Sequence, residues 1–522
     1  LPDVNYWSDL CRLQAAAGHY EDALAACEQA IALEPKNSTL WAQHSGILVE
    51  LDAFPDAIAS ANQALNLDSE NSLAIAYQCV AYTALEDNET ALDKCNNALR
   101  VNGNWGTENP ALAWFYRGEI LAQAQQYELA LVAYERTLLL DPENSQTLTH
   151  QCQAYVILER PDAALAACER AIAIDNNWAE SSPAYAWTHR GQAHTQLHQY
   201  NDAIFAYDQA IALDANNALT WTAQGQVLET LRRNQEALVS YDRAVAIKAD
   251  YTLALLGQCT LLNRLGSHEP ALAACDAALD GDGNWGNQSL ARGWHERSIA
   301  LTGANNYEEA LASSNRAVGI QPDYVAAHNH RSTVFWYLER YPEALAANQQ
   351  AISLDESYDP AWLTRGLIFR AMGDYDQALA AYDEALALNP FSAWGWTNRS
   401  LVLWQLEQYA AALSSAERAI VLNSDSPQAW YNRGVAQAAL GDYASAIETY
   451  DKVLTLNATH GEALTGRGLA WIKLEDYGAA TADLEAALAL NPENVLAQET
   501  LTALTTLPAE MPLTTPPPPP SL

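Results

Sequence analysis

Apolar side chains in this chain fall in pairs of stripes, each at helical spacing, and the pair returns about every 34 residues. Ala378, Leu379, Tyr382, Ala385 and Leu386 make one such stripe. A short turn of the Gly-Asp-Tyr or Glu-Gln-Tyr kind separates the two stripes of a pair. The pattern predicts two helices per repeat, with small residues where they approach. One pair cannot bury both stripes alone, so neighbouring pairs must stack. At 522 residues the chain is longer than a single compact core would hold, whereas a stack needs no such core.

Tryptophan marks one phase of the repeat, at Trp41, Trp114, Trp187, Trp221, Trp294, Trp362, Trp396 and Trp430. Thirteen residues after each stands an aromatic or turn-forming residue, such as Phe54 or Tyr375, and three further on always an alanine, such as Ala57 or Ala378. A turn residue closes the repeat, as at Pro35, Pro142, Pro322, Pro390 and Pro492. Tryptophan, small residue, tyrosine, alanine, aromatic, alanine, proline: the order resembles the tetratricopeptide repeat. The resemblance covers residues 4–494 in fourteen repeats, three of them 39 residues long. A C-terminal helix over 495–507 and a proline-rich tail over 508–522, with Pro508, Pro516 and Pro520, follow.

That resemblance implies an all-α fold, a right-handed superhelical solenoid of antiparallel helix pairs. It also implies a concave groove lined by the first helix of each repeat. Members of the family that grip acidic C-terminal peptides use a clamp rich in lysine and asparagine, which this sequence lacks at the matching places. Its groove positions are mainly neutral: Thr188, Gln192, Thr222 and Gln226, then Leu363, Leu367, Leu401, Trp404, Tyr431 and Val435. Such a surface suits an apolar or proline-rich peptide segment, and the same residues equally suit packing along the superhelix.

The eighth and twenty-fourth places of the repeat trade volume. Six repeats pair glycine with a large residue, as Gly366 with Tyr382, and four pair serine with a small or short polar partner, as Ser45 with Ala61 and Ser332 with Asn348. The remaining four pair cysteine with cysteine: Cys11 with Cys27, Cys79 with Cys95, Cys152 with Cys168, and Cys259 with Cys275. The exchange implies direct contact across the helix pair. Four disulfides are therefore expected, two volume-matched thiols per slot being the alternative. Zinc is disfavoured because no histidine recurs beside the pairs. Each bridge would close a loop of about 15 residues, worth roughly 3 kcal/mol in the chain-entropy picture. Disulfides persist in oxidising compartments, so the expected location is extracytoplasmic, secreted or cell-surface. The opening Leu1-Pro2-Asp3 reads as a processed or truncated start, and no apolar run is long enough to span a bilayer. Five Asn-X-Ser/Thr triplets, at Asn37, Asn88, Asn287, Asn398 and Asn457, are candidate glycosylation sites, and Thr514, Thr515 and Ser521 could carry O-linked sugar.

A formal net charge of −37 argues against nucleic acid and anionic membranes as partners. Eight arginines share the seventh place of the repeat, from Arg117 to Arg467, and acidic or amide residues stand eighteen residues after each. These are expected to pair within or between repeats in a structural role. The three long repeats carry similar loops containing Trp105, Trp178 and Trp285, which either project as contacts between protomers or fold back over the widened gap. Asp280, Asp282 and Asn284 echo the start of a calcium loop but lack its later Gly and Glu. His194 and His198 share a helix face, one at a core phase. No catalytic constellation, metal site or cofactor site is expected. Two functions remain: an extracytoplasmic structural protein that assembles with copies of itself head to tail, its tail docking on the next protomer, or a monomeric adaptor that binds peptides or proteins in its groove.

Overall fold

The computed structural model describes residues 3–106, 109–175, 178, 182–286 and 288–506. The two stripes of each repeat become two helices, typically of 13 and 14 residues, as in Ser38–Glu50 and Phe54–Leu67. Among the described residues there are twenty-nine helices and no strand. Asn37, Asn71, Asn144, Asn217, Ser392 and Ser426 each cap a first helix by accepting a backbone N–H of its first turn. The turn inside every repeat is left-handed at one residue. Glycine holds that place four times, at Gly18, Gly266, Gly373 and Gly441, and ten other residues hold it with φ between +54° and +65°. The following N–H reaches back to an end carbonyl of the first helix, as Asp374 to Phe369 at 2.9 Å, which closes the turn. The chain divides into two bodies, Leu1–Gly257 and Gln258–Leu522, each a stack of antiparallel helix pairs.

The slot inferred from sequence is a real contact. A Cβ added to Gly118, Gly191, Gly366 or Gly434 would lie 2.5–2.7 Å from the Tyr134, Tyr207, Tyr382 or Tyr450 ring, so glycine is required there. Where serine holds the eighth place, its hydroxyl donates to the carbonyl twelve residues on: Ser45 to Ala57, Ser298 to Ala310, Ser332 to Ala344, Ser400 to Ala412, all at 2.7–2.9 Å. The cysteine pairs occupy the same slot with Cα atoms 5.1–5.4 Å apart, joined Sγ to Sγ and at most 1% exposed.

The seventh-place arginines pair differently from expectation. No ion pair at a spacing of eighteen residues on is present among the described residues. Instead each guanidinium reaches back to the second helix of the preceding repeat: Arg399 to Asp383 at 2.6 Å, Arg365 to Gln349 at 2.9 Å, and, across longer repeats, Arg190 to Glu169 at 3.2 Å. Arg297 and Arg399 also donate to Ser313 and Ser415 of their own repeat's second helix. The guanidinium meanwhile lies 5.0–5.9 Å from the ring centre of the tryptophan three residues earlier in six repeats. In three of these repeats the tryptophan in turn donates its Nε1–H to the turn carbonyl six residues back: Trp362 to Glu356, Trp396 to Pro390 and Trp430 to Ser424. At Arg399 and Arg433, carboxylate, guanidinium, indole and turn carbonyl thus form a full clasp over the seam.

The loops of the long repeats fold back. Asn104 N–H donates to the Glu70 carbonyl at 3.0 Å, the Asn104 carbonyl accepts from Leu73 at 3.1 Å, and Trp105 is 9% exposed. Trp178 packs on the core around Cys152 and Cys168, and Trp285 lies against Gly293. The ends differ from each other. The first helix leaves Tyr6 and Leu13 exposed at 53% and 64%. The last helix, Val495–Thr506, buries Ala497 and Thr500, turns Gln498, Glu499 and Thr502 outward and leaves Val495 61% exposed.

Two outcomes follow. Because Gly366 and Tyr382 hold the places that cysteines hold elsewhere, the G366C/Y382C variant closes a further disulfide, seen as a loss of two hydrogens per bridge by intact mass spectrometry. Arg467 joins Asp451 and the nearly buried Asp483, which hold its guanidinium above its usual range. R467A strands Asp483 and lowers the stability of the last repeats by about 2–3 kcal/mol, read by hydrogen exchange in Tyr477–Leu490.

Candidate functional site

First helices face each other across the repeats, and in the N-terminal body they leave a pocket of about 220 Å³. Arg12 and Ala15 come from Val4–Ala16, Gln43, Gly46, Ile47 and Glu50 from Ser38–Glu50, and Leu73 and Tyr77 from Ser72–Ala84. Cys11, bridged to Cys27, and Tyr20 also line it. Gly46 creates the space: a Cβ there would run into the Tyr77 ring. Tyr20's phenol is held above its usual range by burial and then by the Glu50 carboxylate to which it hydrogen-bonds. Gln43 Oε1 is shielded from water and has no hydrogen-bond partner. The site thus combines apolar walls from Ala15, Ile47 and Leu73 with polar groups, Arg12, Tyr20, Gln43, Glu50 and Tyr77. Sequence reasoning missed it because it sought the groove in later repeats. The available signal was Gly46, the one glycine at the ninth place of any repeat.

The later groove needs correction. Tyr431 and Val435 are each 1% exposed and Leu401 is 7% exposed, so these three belong to the core between repeats and are not open to a peptide. Tyr431 stacks on His460 with ring centres 5.1 Å apart. Leu363 packs against Ala378, Tyr382 and Val402, half-buried, and Leu367 is also half-buried. Trp404 is half-buried, with its Nε1–H shielded and unpartnered. Thr188 and Thr222 are buried too, Thr188 bonding the Thr220 hydroxyl at 2.8 Å. The fifth place of the first helix, read as groove, faces its neighbouring helices.

Among the glycosylation candidates, Asn398 is corrected: it is 2% exposed within Ala393–Gln405 and donates to the Trp394 carbonyl, leaving no room for a glycan. Asn37 and Asn457 lie at turns between repeats and Asn88 opens a second helix, all half-buried. Asn287 and the tail residues Pro508, Pro516 and Pro520 lie outside the described residues. Asn284 and Asp282 accept backbone N–H groups two residues on, an ordinary turn arrangement. His194 bonds Gln199 and His198 bonds Tyr200, so the two histidines are held apart by separate partners.

Three other histidines are held neutral by burial. Burial pushes His189 and His330 down to about 4, and burial together with neighbouring His330 and Arg292 pushes His295 down to about 3. An unfolded histidine titrates near 6.5, so from there down to the folded values the unfolded chain binds more protons and stability falls as pH falls. The thermal midpoint therefore drops between roughly pH 6.5 and pH 4, and the drop shrinks in H295Q.

Family models of the tetratricopeptide repeat match residues 111–144, 184–217, 296–359, 360–392 and 397–461. A model of the protein prenyltransferase alpha subunit repeat matches residues 20–51. No curated protein matches the chain. Among solved structures, the APC/C hetero-tetramer Cut9–Hcn1 is similar at 15% identity over 97% of this chain and 96% of that one, with a TM-score of 0.45. YrrB, a TPR protein with an unusual peptide-binding site, is similar at 22% identity over 36% of this chain and 97% of its own, with a TM-score of 0.32. A tetratricopeptide repeat protein from Parabacteroides merdae shows 16% identity over 50% of this chain and 98% of its own, with a TM-score of 0.39. The repeat matches fall in both bodies, on the helix pairs described above, and the chain belongs to the tetratricopeptide repeat family, whose arrays are scaffolds for protein–protein interaction.

Proposed function

We infer that this chain is a non-enzymatic scaffold working outside the cytoplasm, which holds a polypeptide partner by a single side chain anchored in the pocket over its first three repeats. The pocket carries this reading. Its roughly 220 Å³ is smaller than the ~300–1,000 Å³ of sites for drug-sized ligands and suits one amino-acid side chain. Ile47, Leu73, Tyr77 and Ala15 favour an aromatic or large aliphatic anchor. An apolar anchor in a tight cup is the usual source of most binding energy at an interface. The four buried bridges support an oxidising location, where they would persist.

Head-to-tail assembly into a filament is the second reading. Exposed Tyr6 and Leu13 at the N-terminal end and exposed Val495 on the last helix favour it, while Gln498, Glu499 and Thr502 make the rest of that helix's outer face polar. Peptide capture therefore comes first. A random peptide library displayed on phage and selected on the full chain yields segments sharing one aromatic or large aliphatic residue. Filling the cup with A15W weakens such peptides at least tenfold while the far-ultraviolet spectrum stays unchanged. Selected peptides that bind A15W as they bind the parent chain would overturn the reading.

A further inference from the structure

In repeats of ordinary length, the residue that opens a second helix stands thirty before the one that ends the next first helix. These two places meet across the seam: Tyr20 hydrogen-bonds Glu50, and Tyr307 lies on Tyr337. Elsewhere the second place holds a residue without a phenol, such as Thr230, Gln405 or Ala439. Tyr307 opens Tyr307–Ile320 and Tyr337 ends Val325–Tyr337, and their rings are stacked, with centres 4.8 Å apart and planes within 7°. Tyr307 packs on the core formed by Leu301, Leu311 and Val334, and its hydroxyl donates to Asn305 Oδ1 at 2.7 Å, which fixes the ring. Tyr337 is 44% exposed, so burial does not account for an aromatic side chain there. Tyr431 and Tyr450 also meet, but they are tilted by 48° and at most 1% exposed, which keeps reagents away.

We propose that Tyr307 and Tyr337 are a site of oxidative modification, where peroxide acting through a one-electron oxidant of the haem-peroxidase class joins the two rings as a dityrosine. Each phenol gives one electron to the oxidant and one proton to solvent, leaving two phenoxyl radicals face to face. A carbon–carbon bond forms between the ring carbons beside the two oxygens. Each of those carbons then loses its hydrogen as a proton, and each oxygen regains one, so both phenols are restored. The pair has lost two electrons and two protons, which convert one hydrogen peroxide into two waters. Three observations support the site. The stack already holds the reacting rings in contact, so coupling competes well with the escape of either radical. Tyr337 is exposed at the end of its helix, open to the oxidant and able to turn its ring edge toward Tyr307. The bond would also join neighbouring repeats, which the four disulfides do not, since each of those lies inside one repeat. The half-buried Trp336 ring meets Tyr337 edge-on at 4.9 Å and is the competing target for oxidation.

The site lies in the C-terminal body and does not depend on the N-terminal pocket. Its test treats the dilute full chain with a haem peroxidase and limiting hydrogen peroxide, then reads dityrosine fluorescence and maps tryptic peptides by mass spectrometry. The folded chain yields one dominant cross-link, joining the peptide Ser298–Arg316 to Ser332–Arg340 with the loss of two hydrogens. Y337F keeps the ring and its stacking but cannot form the phenoxyl radical, and this linked pair is lost. Y375F, at the same place as Tyr307 two repeats on but facing Gln405, leaves the yield unchanged. Unfolding the chain in urea before treatment removes the dominance of this pair, because the stack is gone. Dityrosine fluorescence that survives undiminished in Y337F refutes the site. So does a folded chain in which the linked pair is absent, or in which oxygen adds to Trp336 in its place. Equal yields from folded and unfolded chains refute the role of the stack.

Discussion

Every repeat must fit two side chains, eighth and twenty-fourth in order, into one fixed gap between its helices. The gap is set by backbone approach, so its contents vary only as complementary pairs. Glycine admits a whole tyrosine ring, serine donates across to a backbone carbonyl, and two cysteines span the gap by a covalent bond. With this distance held, the apolar stripes of successive repeats meet at constant spacing. The arginine–tryptophan clasp then has a constant seam to close. A side chain lost from the gap disturbs one repeat; a side chain too large separates its helices and so reaches its neighbours as well.

This gap was legible in the sequence because its two places covary within one chain fourteen times over. The helix pairs and the length of the long repeats were legible for the same reason, repetition, whereas the fold-back of Trp105 stood as one of two alternatives. What escaped was direction. A stripe at helical spacing says which residues share a face, and does not say whether that face meets solvent or another helix. Tyr431, Val435 and Leu401 share a face with groove residues, yet packed first helices cover them. Arg399 likewise has acidic neighbours in register on both sides, and only the stacking distance selects Asp383 of the preceding repeat. Asn398 satisfies a glycosylation triplet, but its side chain is turned inward by the helix it belongs to.

In the N-terminal body the first helices of three repeats leave a pocket beside the Cys11–Cys27 bridge. Its volume of about 220 Å³ admits about one side chain, so selectivity there rests on the fit of that side chain.

Each of the four bridges joins residues only sixteen apart, inside one repeat, and none crosses a seam. The seams are held by packing, hydrogen bonds and ion pairs alone. Under tension the array therefore has two kinds of link. Repeats can part from one another and their other segments can extend, but each bridged loop withholds about 15 residues, some 50 Å of contour, from stretching. The cysteines thus make the chain less extensible without making it stiffer between repeats.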